Sequence, residues 1–233
     1  MNLERLYPAP SEPIDLEDRD GLLELYRPPR AEWLRLNLIA SVTGAAGGSD
    51  GTSETLSNPV DRRILGVIRE LADVVLIGAQ SLRAEGYQHP RKSRLAVVTI
   101  TGKLTGHRIE APEGAAPIVL CPPTAVPQVL ADLPGAEVIE LPLVDGTIPP
   151  LALIDALRAA GHASIVCEGG PSLAGQLLET GAIDEFCLAT SPRIGGRPFP
   201  VTGPTTIAER EVTLVQLLRD DVDGMYARWA FRG

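Results

Sequence analysis

The stretch Ile165-Val166-Cys167-Glu168-Gly169-Gly170-Pro171-Ser172-Leu173-Ala174-Gly175 decides how the chain is read. An apolar run suited to a buried strand ends on two glycines. Proline and serine then open an amphipathic segment, 171–181 (PSLAGQLLETG), that stops at Gly181. Proline just inside the start and glycine just past the end is the asymmetry of a helix. A helix N-terminus behind a strand offers unpaired N–H groups and the positive end of the helix dipole. Glycines let a ligand come close to the backbone there. Such an end suits a pyrophosphate, and it serves equally as an ordinary strand-to-helix turn. No GxGxxG stands between strand and helix, so a conventional Rossmann site is not expected.

The same alternation extends in both directions. Residues 33–41 (WLRLNLIAS) alternate as a strand and lead into a loop with Gly44, Gly47, Gly48 and Gly51. Asn58 and Pro59 read as a cap and first position of a helix carrying Ile64, Leu65, Val67, Ile68 and Leu71 on one broad face. Residues 73–78 (DVVLIG) form a continuous apolar run, as buried parallel strands do. Further strands are expected over 94–101, 117–121, 136–141 and 184–192, and a helix over 149–161. Residues 211–221 and 225–233 read as a final antiparallel hairpin at a sheet edge. Strands alternating with helices predict an α/β fold, a mostly parallel sheet covered on both faces. Residues 1–30, acidic and proline-bearing, read as an N-terminal arm with a short helical turn at Leu22, Leu23 and Leu25, packed on a single domain over 31–233.

Composition narrows the function. The chain has 233 residues, 44% hydrophobic and only 4% aromatic, enough for one sizeable aliphatic core. A net charge of -9 makes nucleic acid a poor partner, because like charges repel at long range. The three cysteines, Cys121, Cys167 and Cys187, lack CxxC spacing and read as small buried hydrophobes. Three histidines without HExxH argue against a catalytic metal. No run approaches the ~20 apolar residues that span a bilayer. The N-terminus lacks a basic-then-apolar signal, so a cytoplasmic protein is expected.

Four segments carry a family resemblance. Glu168-Gly169-Gly170-Pro171-Ser172-Leu173 resembles the E-G/A-G-P-T/S-L motif of the pyrimidine reductase (RibD C-terminal) family. Asn37-Leu38-Ile39-Ala40-Ser41 resembles its N-x-x-A-S strand. Asp61-Arg62 with residues 71–78 resembles its D-R…L-R-A-x-A-D-A-V-L-V-G unit. Asp184-Glu185-Phe186, Ser191-Pro192 and Gly195-Gly196 resemble its D-E-L…P…G-G close. Together they span most of the chain from residue 33 onward.

The resemblance implies a dihydrofolate reductase-like fold, NADPH as cofactor, a small heterocyclic substrate and a homodimer. It implies cofactor contacts at Thr55, Ser81, Glu85, Thr101 and the turn Gly169, Gly170, Pro171, Ser172, Leu173, Ala174, Gly175 and Gln176. Thr101 matches a position near the adenosine 2′-phosphate, and Lys103 stands close enough to add a cation. Ser53, Arg69 and Glu168 match substrate-contacting positions. Each has a plainer reading. Arg69 serves as well in a surface ion pair, Glu85 as a surface carboxylate, and Thr101 and Lys103 as turn residues. Glu168 is harder to dismiss, since a carboxylate beside two glycines needs a partner, and a pyrimidine or pterin ring donates N–H groups. Asp61 is open between two roles: an acid at the third helical position bonding back to the cap, or the catalytic acid that holds or protonates the heterocycle.

Three departures bear on the substrate. The deaminase half of the pathway enzyme has no counterpart here, so at most the reductase step is expected. The S-L-D-G turn is replaced by Ser41-Val42-Thr43-Gly44. The D-D-P and the basic residue that follows it, which holds a ribose phosphate, are replaced by residues 82–92, where Arg91 or Lys92 would have to supply the cation. The expected chemistry is hydride transfer from NADPH to a C=N carbon of an aminouracil ribosyl phosphate, with Asp61 or a water giving the proton. Dihydropterin reduction, with Asp61 and Glu168 gripping the ring, is one alternative. The others are a non-catalytic NADPH-binding dimer and a phosphate-sugar transferase.

Overall fold

The computed structural model describes residues 2–10, 12–85, 87, 89–110, 114–196 and 199–231, with Glu85 described for its backbone only. Among the described residues ten strands form one sheet in the order β1-β9-β10-β8-β2-β7-β3-β4-β5-β6. They are β1 (Leu3–Tyr7), β2 (Trp33–Ser41), β3 (Val74–Gly78), β4 (Arg94–Val98), β5 (Ile118–Cys121), β6 (Glu137–Glu140), β7 (Ser164–Gly169), β8 (Glu185–Ser191), β9 (Val212–Asp220) and β10 (Met225–Phe231). From β8 to β6 all neighbours are parallel, while β10, β9 and β1 continue the sheet antiparallel.

Both faces of the parallel part are covered, which is why its strands read as apolar runs. On one face Val75, Ile77, Val97, Val119 and Val166 pack with α2 (Pro59–Glu70) through Val60, Ile64, Val67 and Ile68. On the other, Leu34, Leu36, Val74, Leu76, Ile165 and Cys167 meet α5 (Pro150–Ala159) and α6 (Pro171–Thr180). Asn58 caps α2, its Oδ1 accepting the Asp61 N–H at 2.9 Å, with Pro59 in the first turn. The other helices are α1 (Arg19–Tyr26), α3 (Ala79–Glu85) and α4 (Val126–Asp132). All three cysteines are buried and free.

The structure departs from the sequence expectations at the C-terminal hairpin, at the end of β4 and in the N-terminal arm, whose Leu3–Tyr7 is a strand of the sheet. The C-terminal hairpin is not the sheet edge, because β1 pairs with β9 and covers it. The strand expected over 94–101 ends at Val98. Thr99 Oγ1 accepts the Gly102 N–H at 3.1 Å and turns the chain, so Thr101 lies in a turn beyond the strand.

Residues 19–26 are anchored by buried charge. Glu185 on β8, 1% exposed, is held by Arg35 on β2 and Arg228 on β10. Those guanidiniums also donate to the last carbonyls of α1: Arg35 to Tyr26 O at 2.6 Å and Arg228 to Leu25 O. Cations at a helix C-terminus satisfy orphan carbonyls and complement the dipole.

Candidate active site

The turn after β7 opens into a cavity of about 750 Å³ at the C-terminal ends of β7, β3 and β4. That volume lies within the ~300–1,000 Å³ typical of cofactor and small-ligand sites. In open α/β sheets this is the edge at which ligands bind. The turn itself is tightly fitted. Gly169 adopts φ +87°, the left-handed region that favours glycine. A Cβ on Gly170 would stand 2.7 Å from Ser81 Oγ, which accepts the Gly170 N–H at 3.0 Å. The cradle therefore has room for backbone and ligand only.

Ser81, Thr101, Gly170, Pro171, Ser172, Leu173 and Gln176 line the cavity. Gln176 Nε2 donates to Ser172 O at 3.1 Å, bracing the first turn of α6. Gly169, Ala174 and Gly175 support the turn from behind: Ala174 is fully buried in the core, and a Cβ on Gly175 would meet Thr202 O at 2.1 Å. Thr55 is engaged elsewhere, donating from Oγ1 to Asp50 Oδ1 at 3.1 Å within its own loop. The Ser53 carbonyl accepts from the Leu56 and Ser57 N–H groups. Lys103 is exposed and outside the lining. The Glu85 side chain lies outside the described residues. The one charged lining residue among those described is Arg83 on α3, which no sequence signal separated from its neighbours.

Asp61, Arg69 and Glu168 gather on the α2 side of β7, whereas Ile148, Leu153 and Leu173 place the cavity mainly toward α5 and α6. Arg69 Nε and Nη2 donate to Glu168 Oε1 and Oε2, both at 2.7 Å, and the Tyr87 hydroxyl donates to Oε2 as well. The Arg69 guanidinium also stacks 4.7 Å from the Tyr87 ring centroid. Burial alone would lower the Arg69 pKa, but the carboxylate outweighs it and keeps the guanidinium charged. Burial, then Glu168, pushes the Tyr87 phenol well up.

Asp61 is arranged differently from a capping-box acid. Its carboxylate accepts from Ser57 Oγ at 2.6 Å, while Asn58 caps the backbone. Burial raises the Asp61 pKa above the usual carboxylate range; the charges of Glu168 and Asp220 add to it, against the pull of Ser57 and Arg62. Asn58 in turn ties α2 to the β9–β10 hairpin, with its Nδ2 donating to Asp220 Oδ2 at 2.7 Å and its Oδ1 accepting from the Tyr226 hydroxyl at 3.1 Å.

Arg91 and Lys92 do not reach this edge. Helix α3 runs back across the sheet, so both residues precede β4 at the N-terminal ends of the strands. Lys92 there pairs with Glu70 at 2.6 Å. Arg91 and Lys92, the residues that would have to supply a substrate-phosphate cation, thus stand at the opposite edge of the sheet from the glycine turn. Among the described residues no cluster of His, Cys, Asp and Glu could hold a metal, and no helix is long and apolar enough to cross a membrane.

A riboflavin biosynthesis protein RibD from Mycobacterium tuberculosis is 27% identical over 199 residues, covering 78% of this chain and 52% of that protein. The chain thus spans about half the length of the curated relatives it matches. A pyrimidine reductase-like protein from Corynebacterium diphtheriae superposes with a TM-score of 0.80 at 22% identity, covering 91% of this chain and 99% of that one. Enterococcus faecalis dihydrofolate reductase, complexed with NADP(H), gives 0.50 at 12% identity over 87% of this chain and 98% of its own. The architecture is therefore dihydrofolate reductase-like. The RibD C-terminal domain model matches residues 32–225, and the chain belongs to that family.

Proposed function

We propose that this protein is an NADPH-dependent reductase of a pyrimidine- or pterin-type heterocycle, working as 5-amino-6-(5-phosphoribosylamino)uracil reductases do. The observation that carries the reading is the cavity at the C-terminal strand ends, floored by a glycine turn and a helix N-terminus and bearing, among the described residues, the cation Arg83. The residues present fit a dinucleotide. Gly170 leaves the backbone open, the first turn of α6 directs N–H groups toward an anion, and Val98, Ile148 and Leu153 supply apolar walls.

A bound NADPH supplies the hydride. The chain's own residues orient the reactants and manage one proton. Asp61, whose pKa is raised, keeps a carboxyl proton at pH values where an ordinary aspartate has lost it, and Ser57 fixes its orientation. Glu168 accepts three hydrogen bonds from Arg69 and Tyr87. It therefore has about one of its four lone-pair positions left for a ring N–H. In this reading Glu168 positions Arg69 as much as it meets substrate.

The test is a calorimetric titration with NADPH and NADH, followed by NADPH oxidation with aminouracil ribosyl phosphates and dihydropterins. Tighter binding of NADPH and turnover of one substrate class support the proposal; absence of binding to either dinucleotide removes it. A second reading, an NADPH-binding protein without turnover, is favoured by the occupancy of Glu168 and predicts binding without oxidation of either class. The homodimer is part of the proposal, and light scattering tests it. Val42, Ile194 and Phe199, 58%, 85% and 44% exposed, offer apolar surface on the loops beside the site.

A further inference from the structure

The segment that leads into β4 holds buried polar atoms that the fold leaves unsatisfied. His89 Nε2, Ser93 Oγ and Arg94 Nε are all buried without a hydrogen-bond partner among the described residues, and Ser93 as a whole is 7% exposed. Buried polar groups are almost always paired, so three within six residues call for an explanation. Each has a defined chemical sense. His89 Nδ1 lies 2.7 Å from Pro90 O. A carbonyl only accepts, so Nδ1 carries the proton and Nε2 of the neutral ring is an acceptor. Arg94 Nε is a donor, while Nη2 is given to Ala116 O at 2.6 Å and Glu137 Oε2 at 2.8 Å. The Ser93 hydroxyl serves as either.

All three residues line a cavity of about 490 Å³. It lies where residues 70–73, 89–94 and 161–162 lead into β3, β4 and β7, at the N-terminal ends of the strands. The five residues of β3 separate it from the glycine turn by roughly 15 Å. Arg91 stands exposed on its wall, and no carboxylate among the described residues pairs with it. The acids nearby are engaged: Glu70 with Arg19 and Lys92, Asp73 Oδ2 with the Ser164 N–H at 2.8 Å, and Glu137 with Arg94.

We propose that this cavity is a second ligand site, remote from the glycine turn, and that it takes a hydrogen-bearing oxyanion of the phosphate class: inorganic phosphate or a phosphate monoester. The site is independent of the cofactor reading. The chain carries a net charge of -9, so an anion needs local cations, and Arg91 and Arg94 supply them. Guanidinium forks match phosphate oxygens. Arg94 Nε and the Ser93 hydroxyl donate to those oxygens, and His89 Nε2 accepts the phosphate O–H. Ser93 Oγ has no hydrogen bond to break when it turns toward a ligand. A phosphate monoester has a second pKa of about 6, so a proton is available to His89 near neutrality. Sulfate carries no such proton and leaves His89 Nε2 unsatisfied.

His89 and His162 both line the cavity, and the third histidine of the chain, His107, stands outside it. The experiment titrates the intact protein with inorganic phosphate, glycerol phosphate and sulfate at constant pH and ionic strength, following the three imidazole C–H resonances by NMR. Saturable shifts of His89 and His162 with phosphate are expected, with His107 unmoved and sulfate weaker by about tenfold, the worth of one charge-assisted hydrogen bond. Ser93→Ala and Arg91→Ala each weaken phosphate about tenfold. Ser93→Ala does so without lowering the melting temperature, because it removes a buried group that had no partner. A tighter monoester identifies the ligand as a phosphorylated metabolite, and tighter inorganic phosphate identifies the free ion; both support the site. Shifts shared by all three rings without saturation overturn it, as do equal affinity for sulfate and variants that bind as wild type does. Phosphate binding detected by calorimetry while His89 and His162 stay unmoved places the anion elsewhere and overturns it as well.

Discussion

Arg69 grips Glu168 through two parallel hydrogen bonds of 2.7 Å, a fork-to-carboxylate pair that joins the end of α2 to the end of β7. The side chains are 24% and 7% exposed, so neither partner is well hydrated without the other. Their geometry links the helix bearing Asp61 to the glycine turn of the cavity.

Removing Arg69 leaves a buried carboxylate unpaired. Arg69→Ala is expected to destabilise the fold by about 3–5 kcal/mol, read as a shift in the urea midpoint at unchanged slope. Tyr87→Phe removes one donor to the same carboxylate and is expected to cost about 1.5–3 kcal/mol. A loss below about 0.5 kcal/mol in both variants would mean the pair is hydrated and contributes little.

Asp61 is expected to set the alkaline limb of turnover. Its raised pKa means the carboxyl is protonated below that value and ionised above it, so a proton-donating Asp61 loses activity as pH rises through it. Because the Ser57 hydrogen bond lowers this pKa, Ser57→Ala moves the limb to higher pH. Asp61→Asn lowers turnover roughly 100-fold or more with little change in NADPH affinity. Equal turnover in Asp61→Asn assigns the residue a structural role only.

Glu185 predicts the acid limit of the fold. Burial by itself raises its pKa, but Arg35 and Arg228 outweigh that and hold it below the ordinary value. A carboxylate depressed in the folded state contributes stability that is complete above its unfolded pKa. That stability is lost as pH falls through the folded pKa. Glu185→Gln is expected to cost about 3–5 kcal/mol at neutral pH and to flatten the acid limb of a stability-versus-pH curve. A parallel curve for variant and wild type contradicts this.

Burial pushes the Cys167 and Cys187 thiols up to about 12 and raises Cys121 as well. Since the thiolate is the reactive form, a thiol-reactive dye should leave the native protein unlabelled over minutes and modify all three cysteines once urea unfolds it. Labelling of the native state would place one of them in an opening segment.

Much of the fold is legible in the amino-acid sequence. β2, β3 and β7 are sandwiched between helices, so burial on both faces left apolar runs. Asn58-Pro59 marked the start of α2. Other elements depend on partners distant in sequence. Leu3–Tyr7 is strand because β9 lies beside it, more than 200 residues later, and its own residues, with Glu4 and Arg5 adjacent, show no strand alternation within an acidic arm. α3 has seven residues and starts directly at the end of β3. Which of its side chains faces the cavity depends on the β3–β4 geometry, and that concealed Arg83. Asp61 was open between cap and acid because spacing alone does not separate them. The structure gives the cap to the Asn58 side chain and leaves the Asp61 carboxylate to Ser57.

The two margins of the sheet are β1 and β6, and both carry charge outward: Glu4 and Arg5 on one, Glu137 and Glu140 on the other. Charged, short outer strands discourage another chain from adding to a sheet. Behind β1 lies the end of β9, where Leu217–Asp220 pair with Leu3–Tyr7 and so have their backbone covered. The first strand is therefore a sheath. A protein shortened past Tyr7 would present that ribbon's open backbone to its neighbours, and its first failure would be self-association into oligomers rather than loss of the site.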